Sequence, residues 1–248
     1  MLNKNDFAEI DFLARVKETD AVFDTTIPEE AEKAGLLNEA EKGRFVPLRA
    51  CIGQGMLVLG LDKALENKEL NKWHEIEVMP KEAFGERDAK LVKIIPLRIF
   101  MEKGIMPQAG MMLNLDGMLV RIASVSSGRV ITDFNNPLAG RIILYKFRIN
   151  RKIEDAKDKL QILGDFLLGK AENARIENGK GIVDFFMKVP DEIQKEFAKK
   201  VKEVIGIDAE IREAKPEHKE AKKEVGEKAE KLEAGKKSEE SKKQEKSQ

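Results

Sequence analysis

The sequence predicts an α+β protein made of more than one compact unit, and three observations carry that expectation. Short apolar runs broken by Gly-rich and Asp-Gly or Asn-Gly turns recur along the chain, the pattern of antiparallel strands. Two segments in the C-terminal third, Ile153 to Leu168 and Pro190 to Ile205, place apolar residues at helical spacing. The chain has 248 residues, beyond the ~100–150 of a typical domain.

The elements follow in order. Ala8 to Val16 alternates loosely and reads as a strand, Glu18-Thr19-Asp20 as a turn, and Ala21 to Thr26 as a second extended run. Thr26 stands three residues before Glu29 with Pro28 between them, a capping-box spacing that opens a short helix, and Gly35 closes it. Residues Pro28 to Phe45 form an excursion between strands. Val46 to Ile52 is strand-like and Gly53-Gln54-Gly55 breaks it. Leu57, Val58, Leu61, Ala64 and Leu65 then recur at helical spacing. Trp73 to Val78 reads as a half-buried strand with His74 exposed on it.

After Ala83 to Arg87 the character changes. Leu91 to Pro96 is extended, and a helical turn runs from Pro96 to Phe100. Met111 to Leu115, Asp116-Gly117 and Met118 to Val125 form the strongest hairpin signal in the chain. Ser126-Ser127-Gly128 turns into Val130 to Phe134, so a small β-rich unit is expected over 88–132. Asn135 to Gly140 is a loop and Ile142 to Ile149 a strand. The helix from Ile153 ends at Gly169, Asn178-Gly179 joins two strands, Pro190 opens a helix carrying Ile193, Phe197, Val201, Val204 and Ile205, and Ile207 to Ile211 adds a strand. That makes an α-β-β-α-β block. Residues 214–248 are mostly Lys, Glu, Ser and Gln, too poor in apolar side chains to fold alone, and are expected to be disordered or transiently helical.

Composition removes several function classes. Lys+Arg and Asp+Glu both number 45, so no net charge draws the chain to nucleic acid or to an anionic membrane. Its apolar runs fall short of the ~20 residues that span a bilayer, and the N-terminus lacks a basic-then-apolar leader. The one cysteine, Cys51, reads as a small buried thiol. A reducing, cytoplasmic setting is the expectation. Two histidines, His74 and His218, provide no metal-site spacing, and no cofactor is expected. There is no Cys/His or Ser/His/Asp set, and Gly53-Gln54-Gly55 with Gly60 lacks the lysine and Ser/Thr of a phosphate loop.

Three short motifs stand out in order: Phe23-Asp24-Thr25-Thr26, then Gly53-Gln54-Gly55-Met56-Leu57-Val58-Leu59-Gly60-Leu61, then Ala83-Phe84-Gly85. Together they resemble the FKBP family of peptidyl-prolyl cis/trans isomerases, whose pattern is a Phe-Asp pair, a Gly-rich turn before the central helix, and an Ala-(Tyr/Phe)-Gly on a later strand. The β-rich unit after Ala83-Phe84-Gly85 and the return through Leu138-Ala139-Gly140 look like the insert-in-flap domain of the SlyD subfamily. The excursion and the extra C-terminal block are similar to the long archaeal members.

The resemblance implies an FKBP-like antiparallel sheet wrapped around a short helix. It implies a proline pocket lined by Phe23, Leu48, Leu57, Val58, Leu61, Phe84 and Tyr145, with Asp24 at the rim and the Val58 backbone N–H holding the substrate carbonyl. By spacing alone Asp24 is a turn residue, and Phe23 and Phe84 are core aromatics. Three positions depart from the family pattern: Ala14 stands where a tyrosine is usual, Leu61 where a tryptophan is common, and Leu48 where an aromatic is frequent. A roomier, slower site is expected. The His- and Cys-rich metal tail of SlyD is absent, since 214–248 contains only His218.

The implied division is an isomerase domain at 1–87 and 133–150, an inserted chaperone-like domain at 88–132, a C-terminal α/β domain at 151–213 and a tail at 214–248. Five of nine methionines, Met101, Met106, Met111, Met112 and Met118, fall in the insert. Their spacing leaves two roles open: filling the core of an aromatic-poor unit, or presenting an adaptable surface to unfolded chains. The expected clients are unfolded or nascent polypeptides containing proline. An alternative is a holdase whose isomerase module is weak or inactive, and the C-terminal block is an expected contact for a second copy or a ribosome.

Overall fold

The computed structural model describes residues 1–37, 43–115 and 117–214. Asp116, expected at the tip of the insert hairpin, and the tail beyond Ala214 lie outside the described residues. The described chain forms two compact units, 1–155 and 156 onward.

The first unit is built on a five-stranded antiparallel sheet. Its strands are β1 (Phe7–Val16), β2 (Val22–Thr25), β3 (Leu48–Cys51), β4 (Trp73–Val78) and β9 (Ile143–Ile153). The order is β2-β1-β9-β4, with β3 also pairing with β1. Across the central pair, Ile10, Phe12, Ala14 and Val16 face Ile149, Phe147, Tyr145 and Ile143. Antiparallel partners share a face, so these eight side chains form one apolar surface, and all are buried. Helix α2 (Leu59–Leu65) closes it with Leu61 and Leu65.

Glycine makes that closure possible. A Cβ on Gly60 would come within 2.3 Å of a Val78 γ-methyl, so α2 lies closer to β4 than any side chain allows. The turn before the helix is pinned as well, because both Asp62 carboxylate oxygens accept from the Gly53 N–H at 2.9 and 3.0 Å. The helix starts at Leu59, two residues later than the spacing of Leu57 suggests, with Val58 as its extended N-cap.

Helix α1 (Pro28–Lys33) ends as expected. The Leu36 N–H reaches Ala31 O, the Gly35 N–H reaches Glu32 O, and Gly35 has a φ of 69°. Its start differs. Thr26 does not cap it: the hydroxyl accepts from the Phe12 N–H at 2.9 Å and reaches Asp11 at 3.2 Å, tying β2 to β1. His74 also departs from expectation. It is half-buried, with its ring 5.4 Å from Phe147, while Trp73 points out between Lys146 and Arg148. The strand alternation holds, but His74 shares the face of Ile76 and Val78.

Between β4 and β9 the chain builds a second, four-stranded sheet in the order β5-β8-β7-β6. These are β5 (Val92–Pro96), β6 (Met112–Leu115), β7 (Met118–Ser126) and β8 (Arg129–Asp133), with helix α3 (Leu97–Glu102) after β5. Ser127 and Gly128, at φ of 48° and 73°, make the tight β7–β8 turn. The core of this sheet is thin: Phe100, Val120, Ile122 and Val130 are buried, with partly buried aliphatics around the cluster of Phe100, Ile122 and Val130.

The second unit contains α4 (Ala156–Leu168), β10 (Asn173–Glu177), β11 (Lys180–Phe185), α5 (Asp191–Val204) and β12 (Ala209–Glu213). The order of elements is the expected α-β-β-α-β. β10 and β11 are antiparallel across Asn178-Gly179, while β12 returns parallel to β11 after α5. Two details correct the sequence reading. Residues 151–153 continue β9, and buried Ile153 pairs with Phe7, so the helix begins at Ala156. Ile193, expected on the inner face of α5, is 43% exposed, while Phe197 and Val201 are buried. Four-residue steps overshoot the 3.6-residue turn, so the row drifts off the buried stripe.

Candidate functional site

The site forms where β2, α2 and the chain after β4 meet the apolar surface of the body sheet. Phe23 on β2 meets Phe84 edge-on, with ring centroids 5.7 Å apart and planes at 80°, the favoured geometry for an aromatic pair. Leu57 and Val58, just before α2, pack with these rings and with Leu48 of β3 against the core cluster that holds Leu61 and Tyr145. Phe23, Leu48, Leu57, Val58 and Phe84 are all half-buried. The result is an apolar wall open along one side.

Phe84 reaches this position from a turn rather than from the expected later strand. A 3₁₀ turn at Pro80–Glu82 follows β4, and the Gly85 N–H bonds back to Pro80 O at 2.8 Å. Gly85, at a φ of 82°, lets the chain double back and leaves the Phe84 ring against Phe23.

Asp24 joins the wall through strand register. It pairs with Ala14, which pairs with Tyr145, which pairs with Ile76, so these four lie in one row across β2, β1, β9 and β4. Ala14 is fully buried and leaves an alkyl surface between an acid and a phenol. Burial pushes the Asp24 carboxyl above its usual range, against the Thr25 N–H that donates to it at 3.0 Å and the charge of Arg44. Tyr145 is raised to about 12, chiefly by burial and then by the Asp24 charge. An aspartate at a strand end is ordinarily a solvated turn residue, and this one is drawn into an apolar setting. Among the described residues no carbonyl accepts from the Val58 N–H, which stands at the helix start beside the wall.

Sequence reasoning missed three neighbours. Ile76 and Leu138 pack in the same cluster, and Arg44 lies close enough to act on Asp24. Leu138 sits in the return motif, a signal that was available; nothing local marks Arg44. The five methionines of the second sheet are not part of this wall. All are exposed, from 39% for Met111 to 73% for Met106, so they do not fill its core. Ile94 and Leu119 are exposed with them, at 64% and 54%.

A sheet closed over a short helix, with an aromatic-lined wall and a desolvated aspartate, is the arrangement that the resemblance to FKBP-type peptidyl-prolyl isomerases implies. Residues 93–138 match the family model described as FKBP26, IF domain. The chain is 27% identical over 159 residues to a short-type peptidyl-prolyl cis-trans isomerase of Methanocaldococcus jannaschii, a match spanning 64% of this chain and 98% of that protein. It is 30% identical over 107 residues to the FKBP-type isomerase SlyD of Helicobacter pylori, covering 42% of this chain and 57% of SlyD. For SlyD of Escherichia coli the figures are 29% over 118 residues, 46% and 60%. The match thus spans little more than half of the SlyD relatives. The chain is thus similar to FKBP-type peptidyl-prolyl isomerases of the SlyD-like kind.

Proposed function

We propose that this protein turns X-Pro bonds in unfolded or nascent polypeptides, with the pocket in 1–87 and 133–150 performing the rotation and 88–132 holding the client. The edge-to-face Phe23–Phe84 pair, set against Leu57, Val58 and Leu61, is the observation that carries this reading. A planar amide is resonance-stabilised and polar, and its rotation meets a barrier of ~18–20 kcal/mol. The twisted amide loses that resonance and much of the dipole. An apolar wall that grips the prolyl ring and strips water from the amide therefore favours the twisted form. The Val58 N–H holds the substrate carbonyl, Asp24 marks the polar rim and Tyr145 backs the wall. No nucleophile or general base is required.

Met101, Met106, Met111, Met112 and Met118 support the holding role, because exposed flexible thioethers adapt to many apolar side chains. The need is physical: uncatalysed prolyl isomerisation takes tens to hundreds of seconds and can limit folding. In the second unit, exposed Phe186, Met187 and Ile193 support a docking role toward a second copy or a ribosome. Sedimentation of the intact chain tests the first of these. The buried Cys51 thiol, outside any disulfide, fits a cytoplasmic setting.

Isomerisation of a proline tetrapeptide by the intact protein, Asp24→Ala and Phe84→Ala is the direct test. Catalysis is expected in the intact protein, with a drop of roughly tenfold in Phe84→Ala, since the aromatic pair alone contributes ~0.5–1.5 kcal/mol and tenfold is ~1.4. Ala14 favours a second reading, a holdase with little isomerase activity, because the row from Asp24 to Tyr145 lacks a hydroxyl at its centre. Tetrapeptide turnover at the background rate would select that reading.

A further inference from the structure

The chain crosses between the two sheets of the first unit twice, at 85–91 and 134–140, and the crossings are fastened to each other. Nearest the body sheet, the Gly140 N–H donates to Gly85 O at 2.8 Å. In the middle, the Asn135 side chain binds both chain directions: its Oδ1 accepts from the Asp88 N–H at 2.8 Å and its Nδ2 donates to Asp88 O at 3.0 Å. The same Nδ2 donates to Asp133 Oδ1 at 2.7 Å, and Arg87 pairs with Asp133 Oδ2 at 2.5 Å. At the far end the Phe134 N–H donates to Leu91 O at 3.0 Å, and the β5–β8 ladder begins at Val92 and Asp133.

Linkers between domains are ordinarily exposed, with few contacts across them. Here Asp133 and Asn135 are 7% and 8% exposed, and every carboxylate and amide group named above has a partner on the opposite crossing or one turn away. Rotating the insert about its two attachments breaks this set together.

We propose that Asp133 and Asn135, with Arg87 and Asp88, form a clasp that sets the orientation of the insert to the pocket, and that they are positioning residues for catalysis on polypeptide clients but not on short peptides. The proposal rests on the insert holding clients. Tethering supplies effective concentration only where the geometry allows both sites to be engaged by one chain. A tetrapeptide reaches the pocket alone and is indifferent to the clasp. An unfolded chain held on the insert presents its X-Pro bond to the pocket only within the range of orientations the crossings permit.

The test uses the full chain and two substrates: a proline tetrapeptide, and a reduced, carboxymethylated ribonuclease whose refolding waits on prolyl isomerisation. Asn135→Ala removes the centre of the clasp, and Arg87→Ala removes one exposed partner with less risk to folding. A third variant replaces 92–133 with a short Gly-Ser turn. Asn135→Ala is expected to keep tetrapeptide kcat/KM within about twofold and to lose roughly tenfold on the ribonuclease, a fraction of what tethering supplies. Arg87→Ala should show the same split at smaller size. A parallel fall on both substrates would mean the residues only support the fold, and the proposal fails. It fails equally if neither point variant changes the ribonuclease rate while the insert replacement still lowers it. An insert replacement that leaves the ribonuclease rate unchanged overturns the client-holding reading itself, and the clasp with it.

Discussion

The body sheet and the insert sheet are both antiparallel and joined in one unit, but they place their large side chains in opposite ways. In the body Phe7, Phe12, Tyr145 and Phe147 are buried, and α2 seals the inner face. In the insert the large buried apolar side chains are one phenylalanine, Phe100, with Val120, Ile122 and Val130, while five methionines, Ile94 and Leu119 are turned to solvent. A wall that must distinguish a twisted from a planar amide has to be held in place before the substrate arrives. A surface for chains of varied sequence gains from side chains that repack. Under the proposed function each region has the rigidity its task needs, and the clasp between them keeps the soft region from wandering.

The comparison can be broken most sharply at Phe100. Removing the largest buried side chain of the insert should cost ~3–5 kcal/mol, much of a thin core's stability. Phe100→Ala is expected to expose insert amides to hydrogen exchange while body amides and tetrapeptide turnover stay as they were. Joint loss of protection in both sheets would show that they fold as one.

Gly60 tests the other side. Alanine is the better helix former by ~1 kcal/mol, but its methyl would meet a stiff, buried Val78 at 2.3 Å. Overpacking costs ~1–3 kcal/mol, and so close an approach belongs at the upper end. Gly60→Ala should therefore lose ~2 kcal/mol in urea unfolding. It should also lower tetrapeptide kcat/KM, because α2 carries Leu61 and follows Leu57 and Val58. Unchanged stability would mean that α2 can slide on β4.

The smallest effect is electrostatic, and it has opposite signs in the two regions. Burial raises Asp24, so its contribution to stability is present below the ordinary aspartate value of 3.8 and lost as pH rises through the folded pKa. Burial also opposes ionisation of Asp133, yet bonds from Asn135 and the charges of Arg87 and Arg121 hold it below 3.8. Its contribution is present above 3.8 and lost as pH falls through that lowered value. Urea unfolding between about pH 3 and 6 should show steeper acid loss in Asp24→Asn and shallower loss in Asp133→Asn. The same slope in both would remove the distinction between the two carboxylates.

Much of the fold was legible because its signals are local. Asn178-Gly179 adopts φ of 50° and 77°, as its sequence implies, and Gly35 ends α1 with the expected pair of bonds. Where the reading erred, a distant partner had won. The spacing of Thr26 and Glu29 suits a capping box, but the Thr26 hydroxyl is taken by Phe12 and Asp11 on the neighbouring strand. The helix expected from Ile153 gives way to strand because Phe7 pairs with that residue. Of the candidate site, Phe23, Leu57, Val58, Leu61 and Phe84 carried a motif signal; Ile76 and Arg44 carried none.

The sequence alone determined which segments are helix or strand and where most turns fall, since those preferences are set by residues a few positions apart. Only the tertiary structure decided which face each strand turns inward, that Asp24, Ala14 and Tyr145 share one row, that the methionines are exposed, and that Arg87 and Asp88 meet Asp133 and Asn135. These are outcomes of pairing and burial between residues far apart in the chain. Such contacts depend on the register of whole sheets, and no local preference encodes them.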